Sequence, residues 1–314
     1  MIRAELSGCR ALARARRSNA KPFAYRYAQR TLNTVSTLQD WSDKAGETLL
    51  TLHEQAVDDA KIYTVELKNE PDNRLTTQLV TAYLDALDVV EKRWRLDCRN
   101  SDREPAAGQA ALITTGLRNK DRFFSNGLDF GAAMATPGFF ASSFNPLLSR
   151  VLSYPLPTIA AIQGHAFAGG LIFAIAHDYR VAKHIEGAAK GKIMLSTNEV
   201  DFGFGIPHAT MMLLKAKLAP QALRDAVFTG RRFGAAEAQA AGLVDQLAPS
   251  GQATVEAAIR LAAALAVKAP KQAIGVMKQT VYRTELDLLM TETEDPPATP
   301  ALDIQAALAR LGSS

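Results

Sequence analysis

The sequence predicts an α/β fold with a helical C-terminal region, on three observations. Short apolar runs of strand length alternate with helical periodicity as far as about Gly205. Beyond Pro207 the pattern turns helical and alanine-rich. Hydrophobic residues make up 47% of the chain and charged residues 22%, which gives enough apolar surface to offset the entropy of ordering.

The elements follow in order. Residues 48–53 and 62–67 read as short strands, with 54–60 as the turn region between them. Residues 79–94 form a helix, because Leu79, Tyr83, Leu84, Leu87, Val90 and Trp94 recur at helical spacing. Residues 110–115 are a compact apolar strand, and 121–129 are loop-like. A helix over 139–152 is ended by Tyr154-Pro155-Leu156-Pro157. Residues 158–162 are a buried strand, and 169–177 an apolar helix that starts at a Gly-Gly pair. Further strands fall at 179–182 and 192–196. Helices follow at 210–218, 222–228, 235–241 and 255–268. Residues 295–300, rich in proline, read as a linker before a last helix at 302–311.

Composition removes several functional classes. No apolar run reaches the roughly 18–20 residues needed to span a bilayer, so no integral membrane contact is expected. The longest candidate, 158–173, is interrupted by Gly164, His165, Gly169 and Gly170. Two cysteines, Cys9 and Cys98, make neither a disulfide framework nor a metal motif, which fits a reducing compartment. The net charge of +4 is unevenly placed: residues 1–36 hold eight Lys and Arg against the single acid Glu5. The high pI of 9.0 therefore belongs to this arm and not to the body, so no nucleic-acid partner is expected. On a helix, Arg3, Arg10, Arg14 and Arg17 share one face. An arginine-rich, acid-poor amphipathic segment has the composition of a mitochondrial transit peptide. Residues 1–36 are thus expected to be a transit peptide or a disordered basic arm. Delivery to the mitochondrial matrix is expected, with the peroxisome as alternative; Leu311-Gly312-Ser313-Ser314 lacks a Ser-Lys-Leu type of address.

Three segments could carry chemistry. In Phe123-Phe124-Ser125-Asn126-Gly127-Leu128-Asp129-Phe130, a glycine allows a tight turn whose backbone N–H groups can face a cavity. In Gln163-Gly164-His165-Ala166-Phe167-Ala168-Gly169-Gly170, small residues feed a helix N-terminus with free N–H groups. Two such amides converging from separate loops make an oxyanion hole. Asn198-Glu199-Val200-Asp201-Phe202-Gly203-Phe204 sets a carboxylate among apolar residues, where burial would raise its pKa and make it a competent base. Asp201 would share a side with Glu199 in an extended segment and is expected to be structural or solvent-facing. His165 is expected to pack beside the glycine loop, and His177-Asp178 to cap and pack at the helix end. Whether His208 enters a pocket is open. Lys120 and Arg122 could meet phosphates or form a solvated turn.

In their order and spacing these segments resemble the enoyl-CoA hydratase/isomerase (crotonase) superfamily. The resemblance covers about residues 48–278. It is strongest over 110–247, including the Phe-Thr-Gly-Arg-Arg-Phe-Gly-Ala-Ala-Glu-Ala run from Phe228 and Ala241-Gly-Leu-Val-Asp. It implies a crotonase-like ββα spiral core over 48–247, followed by a C-terminal helical region over 248–314. It also implies an acyl-CoA substrate, no cofactor other than the CoA carried by that substrate, and a homotrimer or hexamer. The family's Ser-x-Gly-x-Asp turn matches Ser125–Asp129, which makes the Leu128 N–H the first oxyanion donor and the Gly169 N–H the second. Asn126, Gly127, Leu128, Asp129, Phe130, Gly169 and Asn198 are the implied substrate-binding residues. Hydratases of the family use two glutamates. Here the first position is Ile172 and the second is Glu199. Adding water needs two proton-transfer groups; moving a double bond needs one. The resemblance therefore implies a Δ3,Δ2-enoyl-CoA isomerase with Glu199 as its base. The alternatives are another crotonase enzyme, such as a hydratase or CoA-thioester hydrolase, or a non-catalytic crotonase-like binding protein.

Overall fold

Strand β1 (Leu32–Ser42) opens the described part of the chain and pairs antiparallel with β2 (Thr48–Val57). The computed structural model describes residues 32–99, 107–116, 120–187, 191–293 and 308–312. The arginine face at residues 3–17 lies outside them, as do residues 295–300 and most of the helix expected at 302–311. The last five residues of the 1–36 arm belong to β1.

β2 continues to Val57 and turns through Asp58 and Asp59 into β3 (Ala60–Leu67). The turn expected over 54–60 is thus only two residues long. Glu54 pairs with Tyr63 and Gln55 with Ile62, and this cross-strand ladder overrides the polar character of Glu54 and Gln55. Helix α1 (Thr77–Cys98) follows, capped by Thr76, whose Oγ1 accepts from the Leu79 N–H at 3.2 Å. Strand β4 (Ala110–Thr115) is fully buried. The region read as loop at 121–129 contains β5 (Phe123–Ser125), followed by α2 (Phe130–Ala135). The helix expected at 139–152 divides into a π-helical turn, Phe140–Phe144, and α3 (Asn145–Leu152). Pro146 has no N–H to give and its ring would clash with the carbonyl one turn back, so the preceding turn widens.

Strands β6 (Thr158–Ile162) and β7 (His165–Phe167) precede the wholly buried α4 (Gly169–Ala176). Then come β8 (Tyr179–Lys183), β9 (Met194–Ser196), α5 (His208–Lys217), α6 (Pro220–Thr229), β10 (Phe233–Gly234), α7 (Ala235–Ala240) and β11 (Gln246–Ala248). Helices α8 (Gly251–Ala266), α9 (Ala273–Val281) and α10 (Arg283–Thr291) complete the C-terminal region.

Among the described residues the strands form two sheets. The larger has the order β1-β2-β3-β4-β6-β8-β11, parallel from β3 onward; the smaller has the order β10-β9-β7-β5. Both faces of the large sheet are covered, which is why its parallel strands read as unbroken apolar runs. α8 lays Val255, Ile259 and Ala262 on Ile62, Ile113, Ile159 and Val181. The other face packs on α1 and α4 through Tyr83, Trp94 and Phe173. The small sheet packs on this second face through Phe124, Ala166, Leu195 and Phe233, and it brings the C-terminal ends of β5, β7 and β9 to the cavity described below.

Candidate active site

The first wall of the site is the turn after β5. Ser125 Oγ donates to the Asn73 carbonyl at 2.7 Å and accepts from the Gly127 N–H at 3.2 Å. The Asn126 N–H donates to the Asp72 carbonyl at 2.9 Å, and Asn126 Nδ2 to Asp72 Oδ2 at 2.8 Å. The Leu75 N–H donates to the Gly127 carbonyl at 2.8 Å. Gly127 has φ +86°, and a Cβ there would stand 2.9 Å from the Phe167 carbonyl oxygen and 3.2 Å from the Gly169 nitrogen. Only glycine permits both this backbone and this close approach of the second loop. Every bond in the clamp leaves the Leu128 N–H without a protein acceptor among the described residues.

The second wall is the β7–α4 junction. Ala168 adopts φ +49°, ψ −129°, a conformation that costs a residue with a Cβ roughly 1–3 kcal/mol. Its N–H donates to the Ser196 carbonyl, and its own carbonyl accepts from the Leu171 and Ile172 N–H groups. This swings the start of α4 toward the first loop, and the Gly169 N–H is likewise without a protein acceptor among the described residues.

The third wall is a 3-10 turn, Glu199–Phe202, closed by Gly203 at φ +71°. Glu199 is 6% exposed, and its Oε2 is buried with no hydrogen-bond partner. Burial pushes its carboxyl up to about 7, with its own backbone N–H pulling weakly the other way. Asn198 Oδ1 beside it is also buried and unpartnered.

These walls enclose a cavity of about 380 Å³. Of the residues expected there, Asn126, Leu128, Phe130, Gly169, Asn198 and Glu199 line it. Gly127 and Asp129 do not. Gly127 acts through backbone packing. The Asp129 carbonyl accepts from the Ala133 N–H at the start of α2, and its carboxylate lies 4.0 Å from Arg74. Asp201 does not share a side with Glu199, because the segment is a 3-10 turn; it pairs with Arg232 at 2.9 Å, largely in solvent. Ile172 is buried in the apolar core. His165 lies between the rings of Phe123 and Phe167 and accepts from the Met194 N–H at 3.0 Å. His177 and Asp178 pack at the base of the core. His208 is exposed at the start of α5. Lys120 pairs with Glu70, and Arg122 lies over the Phe123 ring.

The sequence did not disclose Arg74, Phe167, Phe202, Phe204 and Arg232 as cavity residues. Phe202 and Phe204 stood in a segment singled out for its carboxylate, and their ring contacts with Phe130, at 5.3 and 5.1 Å, depend on a distant helix. Glu199 is the sole acid in the lining, and Arg74 and Arg232 are its cations.

A sequence profile of the enoyl-CoA hydratase/isomerase family matches residues 58–295. The chain belongs to the enoyl-CoA hydratase/isomerase family. Within it, the chain is 31% identical over 216 residues to enoyl-CoA delta isomerase 3 of Arabidopsis thaliana, covering 66% of this chain and 82% of that one. It is 32% identical over 205 residues to peroxisomal enoyl-CoA delta isomerase 1 of the same plant, covering 64% and 77%. A solved enoyl-CoA hydratase from Mycobacterium ulcerans superposes with a TM-score of 0.60 at 27% identity, covering 77% of this chain and 94% of that one. The family's crotonase fold is therefore the fold of this chain.

Proposed function

We propose that the chain is a Δ3,Δ2-enoyl-CoA isomerase, which moves the double bond of a 3-enoyl-CoA into conjugation with the thioester. The observation that carries the reading is a single buried carboxylate, Glu199, facing a cavity that holds two free backbone amides and no second acid. The delta isomerases among the relatives support it. Glu199 takes a proton from C2, and the electron pair of the broken C–H bond spreads through C1 to the thioester oxygen on one side and through the C3–C4 double bond to C4 on the other. The N–H groups of Leu128 and Gly169 hold the oxygen as charge grows on it; in other enzymes, removing one such donor costs roughly 3–4 kcal/mol. The carboxyl of Glu199 then returns the proton to C4, leaving the double bond between C2 and C3. A pKa of about 7 suits a group that must act first as base and then as acid near neutrality. CoA enters as part of the substrate, and the reaction needs no cofactor.

Purified protein given 3-hexenoyl-CoA is expected to produce the conjugated thioester faster than it hydrates crotonyl-CoA; hydration outrunning bond migration would overturn the reading. The arginine face at residues 3–17 supports a mitochondrial address, whereas two Arabidopsis relatives are named as peroxisomal. A fluorescent fusion with and without residues 1–36 separates the two. The same reading carries a homotrimer or hexamer, measurable as mass in solution by light scattering.

A further inference from the structure

A second cavity, of about 390 Å³, lies at the N-terminal ends of β6 and β8, where α5, α8 and α9 meet. It shares no lining residue with the first. Three lysines face it: Lys217, Lys268 and Lys278. Asp178 is the one carboxylate in its wall, and Lys278 already takes it at 2.6 Å while also donating to the Leu156 carbonyl at 2.9 Å. Arg180, close by, is matched by Asp245 at 3.0 Å.

Lys217 is different. Its Nζ donates to the His177 carbonyl at 2.9 Å and to the Tyr282 hydroxyl at 3.4 Å, and it lies over the Tyr282 ring. No carboxylate is within ion-pair distance among the described residues. Burial pushes its ammonium down to about 8, so it is still mostly charged at neutral pH. Arg180 and Lys278 push it down further, while Asp178 and Asp245 favour the charged form only from beyond ion-pair distance, so an anion in the cavity would give this ammonium the direct partner it lacks. Leu265 and Ile274 give the same cavity an apolar side.

We infer that this cavity binds an organic anion, with a carboxylate or phosphate head held by Lys217 and Lys268 and an apolar body against Leu265 and Ile274. The inference goes beyond the proposed isomerase reaction and does not depend on it. The test is isothermal titration of the full chain with hexyl phosphate, hexanoate and inorganic phosphate. One site per chain is expected, and at least one of the two organic probes should bind about tenfold more tightly than inorganic phosphate, which lacks the apolar body. The two organic arms also decide which head the site takes. Lys217→Met should weaken binding about tenfold or more, while Lys217→Arg keeps it. Phe202→Ala, in the first cavity, should leave it unchanged. Lys268→Ala, an exposed change with little bearing on folding, should weaken it about threefold, so the inference can be refuted even if Lys217→Met does not fold. Three results would overturn it: no saturable binding of any probe at about 10 mM, equal affinity for all three probes, or binding that survives Lys217→Met and is lost in Phe202→Ala.

Discussion

At the N-terminal ends of β6 and β8, buried polar groups are matched. His177 is fully buried; its Nδ1–H donates to the Phe173 carbonyl at 2.9 Å and its Nε2 meets Thr114 Oγ1 at 2.8 Å. Burial pushes this imidazole down to about 3, so it stays neutral. Arg180 has Asp245 and two carbonyls, and Lys278 has Asp178 and a carbonyl. At the C-terminal ends of β5, β7 and β9 the opposite holds. Among the described residues, Glu199 Oε2, Asn198 Oδ1 and two backbone N–H groups have no protein partner, and Ala168 is held in a strained conformation. Matched groups hold a fold together. Open ones, kept in place by surrounding structure, are available to bind a substrate whose charge changes during reaction. Lys217 is the exception at the matched end, and it faces a cavity.

The largest test of this contrast is Glu199→Gln. Activity on 3-hexenoyl-CoA should fall about a thousandfold, since a positioned general base contributes roughly 10²–10⁴-fold. Stability should move the other way. The folded carboxyl, raised to about 7 from an ordinary 4.5, favours the protonated form. The resulting penalty is absent below the ordinary value, grows as pH rises toward 7, and is constant above it. Urea unfolding at pH 8 should therefore show the variant more stable by at most about 3 kcal/mol, with no gain near pH 4.5. Equal stability at both pH values would mean that Glu199 is not held in its charged form against a cost.

At the matched end, Asp178→Asn strips the Lys278 ammonium of its counter-charge and should destabilise the chain by about 3 kcal/mol. A loss of under about 1 kcal/mol would blur the contrast, because the pair would then behave like one in solvent.

The smallest effect sharpens the site itself. Gly46 and Gly127 share nearly the same φ, +88° and +86°, but a Cβ at Gly46 meets nothing within 4 Å. Gly46→Ala should cost about 1 kcal/mol from backbone strain alone. Gly127→Ala should cost about 2–3 kcal/mol, because the β7–α4 junction must also move. Equal melting temperatures for the two variants would show that the two loops are not tightly packed.

How much of this was legible in the sequence varied with the length of each signal. Helix α1 and strands β4 and β6 carry enough apolar residues at regular spacing to be read directly. Strands β5 and β7 have three residues each, too few for any period to show, so local pattern gives no strand there. The glycine turns and the carboxylate were legible as residue types: a Gly between a strand and a helix has few other uses, and an acid flanked by Val and Phe invites burial. Arg74 and Arg232 were not, since nothing local distinguishes an arginine at a cavity from one in solvent.

The sequence by itself determined the alternation of strand and helix, the places where only glycine fits, and the absence of a second carboxylate at Ile172. Those are matters of local backbone preference and residue chemistry. The tertiary structure decided that Asp201 points away from Glu199, that Gly127 and Asp129 stay out of the cavity, and that Phe130 meets Phe202 and Phe204. It also decided that Lys217 is half-buried with no carboxylate in ion-pair distance among the described residues. Each depends on which distant segments share a surface, and burial, which sets the charge on Glu199 and Lys217, exists only once the chain has closed around them.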